Sequence, residues 1–181
     1  MRERSGLSRS LPYRTHVLSG APDITISRAS LSDAKAILAL QKLAYESEAR
    51  FYDDWSLPPL TQDLASLREE LGTSLVLKAT VAADRIVGSV RARIENGTAA
   101  IGRLIVHPEF QGRGIGSELL NAVEAACAGV AKFELFTGSR SEATIRLYQR
   151  HGYTVTRTEP VSPTLSLTYL EKPGGKIGPH R

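Results

Sequence analysis

Residues 24–30 (ITISRAS) alternate apolar and polar positions, the signature of a strand with one face in a core and the other in water. Ser32 or Asp33 then offers a cap for a long amphipathic helix whose apolar positions include Ala36, Ile37, Leu40, Leu43 and Ala44. The periodicity fails across residues 51–59 (FYDDWSLPP), which reads as a loop. Asp63, Leu64, Leu67 and Leu71 predict a shorter helix ending near Gly72. Three strand-like runs follow at 74–82, 85–94 and 98–106, separated by Ala83-Asp84 and by Glu95-Asn96-Gly97. Asn-Gly is a strong hairpin signal, so these runs form an antiparallel meander. Beyond a glycine-rich turn, Leu119, Leu120, Val123, Ala126 and Cys127 recur at helical spacing. Residues 132–137 read as a strand, 141–151 as a short helix ending at Gly152, and 153–157 and 164–170 as closing strands. The strand and helix of residues 98–137 make a parallel crossover inside a sheet that is otherwise antiparallel. The expected class is α/β, a mixed, mostly antiparallel central sheet with flanking helices.

At 181 residues, 41% of them hydrophobic, the chain suits one domain with a substantial core. The net charge of +4 changes meaning once it is located. Residues 1–22 contribute +3, from Arg2, Arg4, Arg9 and Arg14 against Glu3, and residues 172–181 another +3, from Lys172, Lys176 and Arg181. The body, 23–171, holds 16 basic and 18 acidic residues. A nucleic-acid enzyme usually carries its basic stripe on the folded surface, so nucleic acid is not an expected partner. Both ends are poor in large apolar residues and are expected to be disordered tails flanking a domain at 23–171. The single cysteine, Cys127, excludes an internal disulfide framework and fits a reducing cytoplasm; its spacing with Val123 places it in the core. No apolar run approaches membrane-spanning length.

The chemistry concentrates in Gln111-Gly112-Arg113-Gly114-Ile115-Gly116, between a strand ending at Val106 and the start of a helix. His107-Pro108 enforces an extended exit from that strand. Glycines let main-chain N–H groups approach an anion without Cβ obstruction, and the helix start adds free donors and the positive end of its dipole. Arg113 adds a cation for a second phosphate oxygen. The cradle is not a nucleotide P-loop, because Gly116-Ser117 lacks the lysine. Nor is it a dinucleotide fingerprint, whose third glycine would fall at Ser117.

This turn resembles the central motif of the GNAT family of N-acetyltransferases, Gln/Arg-x-x-Gly-x-Gly/Ala after a strand. Ile105-Val106-His107-Pro108 is similar to that family's approach to the turn. A second family block, Leu-Tyr-x-x-x-Gly-Phe/Tyr, is matched by Leu147-Tyr148-Gln149-Arg150-His151-Gly152-Tyr153. The resemblance spans residues 24–171. It implies a cleft between splayed strands, with residues 112–117 on the pyrophosphate of acetyl-CoA through main-chain amides. It implies that Leu104, Ile105 and Val106 pair with the pantetheine arm and that the Val106 N–H stabilises an oxyanion. Gln111, Gly112, Arg113, Gly114, Ile115, Gly116 and Ser117 thus form the cofactor set, joined by Ser141, where many members carry an asparagine. Tyr148 is placed facing the thioester sulfur, as the acid for a departing thiolate.

Direct attack by an amine needs a neutral nitrogen, an oxyanion stabiliser and an acid, and no nucleophilic residue. Glu134, mid-strand, is the candidate base; its carboxylate lines the cleft or faces solvent. Glu46, Asp53 and Asp54 are further candidates, and water can relay the proton instead. Tyr45, Phe51, Tyr52 and Trp55 either wall the acceptor site or pack the first helix on the sheet. Arg91, Arg93 and Arg103 mark either a basic face or an ordinary solvated one. His107 and His151 match no metal-ligand spacing, and no metal is expected. The expected acceptor is a primary amine on a small molecule, peptide or protein lysine, with a homodimer an open assembly state. The competing readings are an acyl-CoA-binding sensor without turnover and a nucleic-acid partner acting through the tails.

Overall fold

The computed structural model describes residues 13–14 and 23–175. Eight strands form one sheet in the order β1-β2-β3-β4-β5-β6-β8-β7. They are β1 (Tyr13–Arg14), β2 (Thr25–Arg28), β3 (Leu75–Val81), β4 (Arg85–Glu95), β5 (Thr98–Val106), β6 (Lys132–Gly138), β7 (Thr154–Pro160) and β8 (Ser166–Pro173). The helices are α1 (Ala34–Tyr52), α2 (Pro58–Thr61), α3 (Leu64–Thr73), α4 (Ile115–Ala126) and α5 (Glu142–Arg150). Every neighbouring pair is antiparallel except β5 with β6, the parallel crossover that the sequence predicts. No described helix is long and apolar enough to cross a membrane.

The meander follows from its turns. Asn96 and Gly97 both take positive φ, 49° and 75°, as a tight two-residue hairpin requires. Ala83 and Asp84 turn the preceding hairpin in the same left-handed region. Asp63 caps α3 by accepting from the Ser66 N–H at 2.8 Å. Before α1, the Asp33 carboxylate accepts from the Ser30 N–H at 2.8 Å and pairs with Lys78 at 2.7 Å, tying the helix start to β3.

Two apolar layers sandwich the sheet. On one face α4 buries Ile115, Leu119, Leu120 and Val123 against Val87, Val90, Ile101 and Leu135. Each such side chain contributes about 1.5–3 kcal/mol. Gly88 lets α4 come this close: a Cβ there would stand 2.8 Å from Leu119 and 3.2 Å from Ile115. Cys127 and Tyr148 lie in the same cluster. On the other face α1 and α3 bury Ala34, Ile37, Leu67 and Leu71 with Val76.

Several boundaries differ from the sequence reading. The predicted loop at 51–59 begins later, because α1 continues through Phe51 and Tyr52, and Pro58 opens α2 as a first-turn proline. The tails are shorter than expected. Tyr13–Arg14 pairs with Thr25 and Ile26, and β8 runs on to Pro173, with Lys172 bonded to Glu124 at 2.6 Å. The rest of 1–22 and residues 176–181 lie outside the described residues. The three arginines do not form one solvated face. Arg91 is buried, Arg93 pairs with Glu95 at the surface, and Arg103 enters a cavity.

Candidate active site

The site begins as a failure of pairing. β5 and β6 pair at Thr98, Ala99 and Ala100 with Lys132, Phe133 and Glu134, and nowhere beyond. Past that point β5 keeps only β4, out to Val106 against Gly88, while β6 keeps only β8, out to Gly138 against Leu167. A bulge drives the separation. Arg103 and Leu104 together oppose the single residue Val90, and Arg103 takes φ +51°. An extra residue on one strand bends it and re-aims its side chains. The gap opens into a cavity of about 860 Å³ reaching from β5 and β6 to α1 and α5.

Unpaired backbone edges line this gap. The His107 N–H donates to the Val87 carbonyl at 2.8 Å, so its N–H points towards β4. Peptide groups alternate along a strand, and the N–H and carbonyl of Val106 therefore turn the other way, into the cleft. The Gln111 side chain donates to that carbonyl at 3.2 Å, leaving the Val106 N–H as a free donor. Leu104, Ile105 and Gln111 line the same cavity.

The glycine turn stands at the end of β5. Gly112 and Gly114 have φ of 72° and 82°, and nothing lies within 4 Å of where a Cβ would be on either, so both are free to face a ligand. The first main-chain bond of α4 runs from the Glu118 N–H to the Gly114 carbonyl at 3.0 Å. The N–H groups of Ile115, Gly116 and Ser117 precede it and have no helical acceptor. Arg113 rests its guanidinium over Phe110, 5.2 Å from the ring centre.

Tyr148 projects from α5 into the cavity, 5% exposed, with its ring 5.9 Å from that of Tyr153. Its hydroxyl has no partner among the described residues. Burial, reinforced by Tyr45 and Glu48, pushes the phenol above its ordinary range, so it stays protonated at neutral pH. Ser141 is the N-cap residue of α5, and its hydroxyl donates to Glu48 on α1 at 3.3 Å. Burial raises the Glu48 carboxyl, and the Ser141 bond and the charge of Arg103 oppose that rise. α1 and α5 lie on opposite faces of the sheet, and Glu48 and Ser141 meet through the split.

Glu48 is the residue that the sequence reading missed. Gln41, Tyr45, Glu48 and Tyr52 succeed one another at four, three and four residues, a single helical stripe, and that spacing was the available signal. Glu134 is corrected. It shares Lys132 with Glu171 in an ion cluster, the lysine lying 3.2 and 2.8 Å from the two carboxylates, and it does not line the cavity. The reason is positional: Glu134 falls where β6 still pairs with β5, before any gap opens. Glu46 pairs with Arg50, Asp54 accepts from Ser56, and Asp53 closes α1 in the left-handed region; none lines the cavity. Of the aromatic group, Tyr45, Phe51 and Tyr52 line it, whereas Trp55 lies outside, 54% exposed.

Known proteins show the same architecture. The structure matches the ribosomal-protein-S18-alanine N-acetyltransferase of Escherichia coli with a TM-score of 0.72 at 17% identity, covering 87% of this chain and 98% of that one. It matches YncA of Salmonella typhimurium, solved with its cofactor acetyl-CoA, with a TM-score of 0.66 at 23% identity, covering 87% and 98%. PaiA N-acetyltransferase of Thermoplasma acidophilum, in complex with coenzyme A, gives a TM-score of 0.68 at 19% identity, covering 83% and 98%. These likenesses establish the fold. The sequence profile of the Acetyltransferase (GNAT) family matches residues 37–153, a span holding the split strands, the glycine turn, Glu48 and Tyr148, and the chain belongs to that family.

Proposed function

We propose that this chain is an N-acetyltransferase that moves an acetyl group from acetyl-CoA to a primary amine by direct attack. The observation that carries the reading is a protonated tyrosine and a half-buried carboxylate lining one cleft, with an open glycine turn following Gln111, which lines the same cleft.

The residues present fit coenzyme A. Gly112 and Gly114 stand in open space, the N–H groups of residues 115–117 are free, and the Val106 N–H is turned into the gap. Residues 111–117 would hold the pyrophosphate, with Arg113 as cation, and Leu104, Ile105 and Val106 would take the pantetheine amides as an added strand would. Bound acetyl-CoA supplies an activated acyl carbon, to which the amine nitrogen bonds as the carbon–sulfur bond breaks. Around that exchange each residue has one task. Glu48 takes the proton that turns the incoming ammonium into a nucleophile. The Val106 N–H stabilises the negative charge developing on the carbonyl oxygen. Tyr148 gives its proton to the leaving sulfur and recovers one from the nitrogen side. Ser141 holds Glu48 in place. A protonated tyrosine in the cleft favours turnover over passive sensing of acyl-CoA.

The test pairs two measurements on Tyr148→Phe. Phenylalanine keeps the ring beside Tyr153 and removes only the hydroxyl. Acetyl-CoA affinity by calorimetry should match the parent, and the single-turnover rate should fall about 10²–10⁴-fold. A rate within a factor of about two of the parent, where such an acid contributes that much, would reduce Tyr148 to a packing residue.

A further inference from the structure

Two guanidiniums without an ion pair to a described carboxylate, Arg103 and Arg140, line the acceptor side of the cleft beside the carboxylates of Glu48 and Glu142, the latter paired with Arg146. Arg91 on β4 is engaged: its guanidinium, 8% exposed, donates to Glu70 and Gln41, and to Gln62 at 3.3 Å. Arg103, one strand away, has only the neutral Tyr45 side chain as a neighbour of this kind. It forms no ion pair with any described carboxylate, and its Nε is buried with no acceptor among the described residues. Glu48 is near enough for its carboxyl to feel the Arg103 charge, and the two make no contact within 4.0 Å. The Arg103 backbone sits at φ +51°, a conformation unfavourable for a non-glycine residue that a merely solvated side chain would not require. At the rim, Arg140 lies 4.4 Å over Phe51 and likewise pairs with no described carboxylate. A purely cationic acceptor would approach two guanidiniums that no described carboxylate pairs.

We infer that the acceptor amine carries a carboxylate close to its reacting nitrogen, and that Arg103 binds that carboxylate beside Tyr45 while the ammonium faces Glu48. The inference rests on the N-acetyl-transfer reading and names its substrate class: free amino acids and similar small zwitterions, not polyamines or protein lysines. The Arg103 guanidinium stands 6.0 Å from the Tyr45 ring centre. Tyr45 and Glu48 are three residues apart on one helix face, roughly 5–6 Å between their Cβ atoms, which suits two charged groups on one small molecule. A guanidinium fork presents paired donors that match a carboxylate, and neither Glu48 nor Tyr148 is consumed by that contact.

The experiment compares, for the full chain, thiol release from acetyl-CoA with the standard L-amino acids, their α-amides and the corresponding decarboxylated amines. Amino acids that react should show kcat/KM about 10–100-fold above their amides, the worth of a hydrogen-bonded charge pair. Arg103→Gln should raise KM for the acid by a similar factor and bring acid and amide to near parity, with acetyl-CoA affinity retained. Arg103→Lys, which keeps the charge without the fork, should recover part of the preference. Amides or decarboxylated amines reacting as well as the acids would overturn the inference and leave N-acetyl transfer standing. Weaker acetyl-CoA binding by Arg103→Gln would also overturn it, assigning the guanidinium to the cosubstrate. Tight acetyl-CoA binding with no thiol release from any amine would overturn both readings.

Discussion

Replacing Glu48 with glutamine separates what this carboxylate does for catalysis from what it costs the fold. Glutamine is nearly isosteric, and its carbonyl oxygen can still accept the 3.3 Å bond from Ser141, so α1 and α5 should stay linked through the split. The variant loses a group able to take a proton. A positioned base is worth about 10²–10⁴-fold, and the rate should fall into that range at neutral pH. The pH profile sharpens the test. Burial holds the Glu48 carboxyl above its ordinary value, so the parent should lose activity as pH falls through that raised value. The acid limb should vanish with the carboxylate. Stability runs the opposite way. A carboxyl whose folded pKa lies above its unfolded one makes the native state bind more protons between the two, so its stability falls as pH rises through that window. Above that window the ionised Glu48 is a net burden, and there Glu48→Gln should melt no lower than the parent. Single-turnover rates and thermal melts across pH on the same samples decide it. A variant that retains the acid limb, or reacts within about threefold of a parent whose base should be worth far more, would refute Glu48 as the base.

Two other changes probe the walls of the cleft. Gly114→Asp should abolish acetyl-CoA binding in a folded protein, since the new side chain enters open space at the cradle and each like charge at close range costs roughly 1 kcal/mol or more; unchanged affinity by calorimetry would remove the phosphate site. Gly138→Ala should slow turnover and lower the melting temperature together, because its methyl would stand 2.8 Å from the Tyr52 ring carbon bearing the hydroxyl and push away the group that accepts from the Arg140 N–H at 3.0 Å. Parent-like kinetics in that variant would show that Tyr52 does not set the acceptor wall.

Much of the site was legible where chemistry follows local spacing. The glycine turn, its helix and Tyr148 come from short blocks whose geometry neighbouring residues determine: Gly114 caps α4, and Tyr148 lines the cavity. Strands were legible where alternation survives, at Ala99 and Ile101 of β5 and at Phe133, Leu135 and Thr137 of β6, whereas β3 buries adjacent pairs. Glu134 failed for a reason that no local pattern contains. Alternation correctly turns it away from Phe133 and Leu135, yet only the register with β5 shows that the strands are still joined there. Lys172 was read as tail because it is charged, although its ammonium pairs with Glu124 and its stem lies against Gly152. Even spacing left Arg91, Arg93 and Arg103 as either a basic face or a solvated one, and could not show that a break in the strand carries Arg103 into the cavity beside Tyr45. The bulge that breaks it is invisible in composition, since neither residue opposing Val90 is a glycine.

That bulge also explains why the two halves of the chemistry come from opposite faces of the sheet. In an intact parallel pair, β5 and β6 would satisfy each other's backbone and wall α1 off from α5. Bending β5 after Gly102 leaves the Val106 N–H without a strand partner, which is costly unless something else takes the bond. The same bend lets Glu48 reach Ser141 and brings its charge within range of Tyr148. The open backbone edge and the proposed base and acid thus share one cause. Straightening β5, by deleting one residue of the Arg103-Leu104 pair, would restore pairing and disconnect all three. Loss of activity in that deletion should therefore accompany a gain in stability, whereas a bulge serving only to pack Arg103 would lose both.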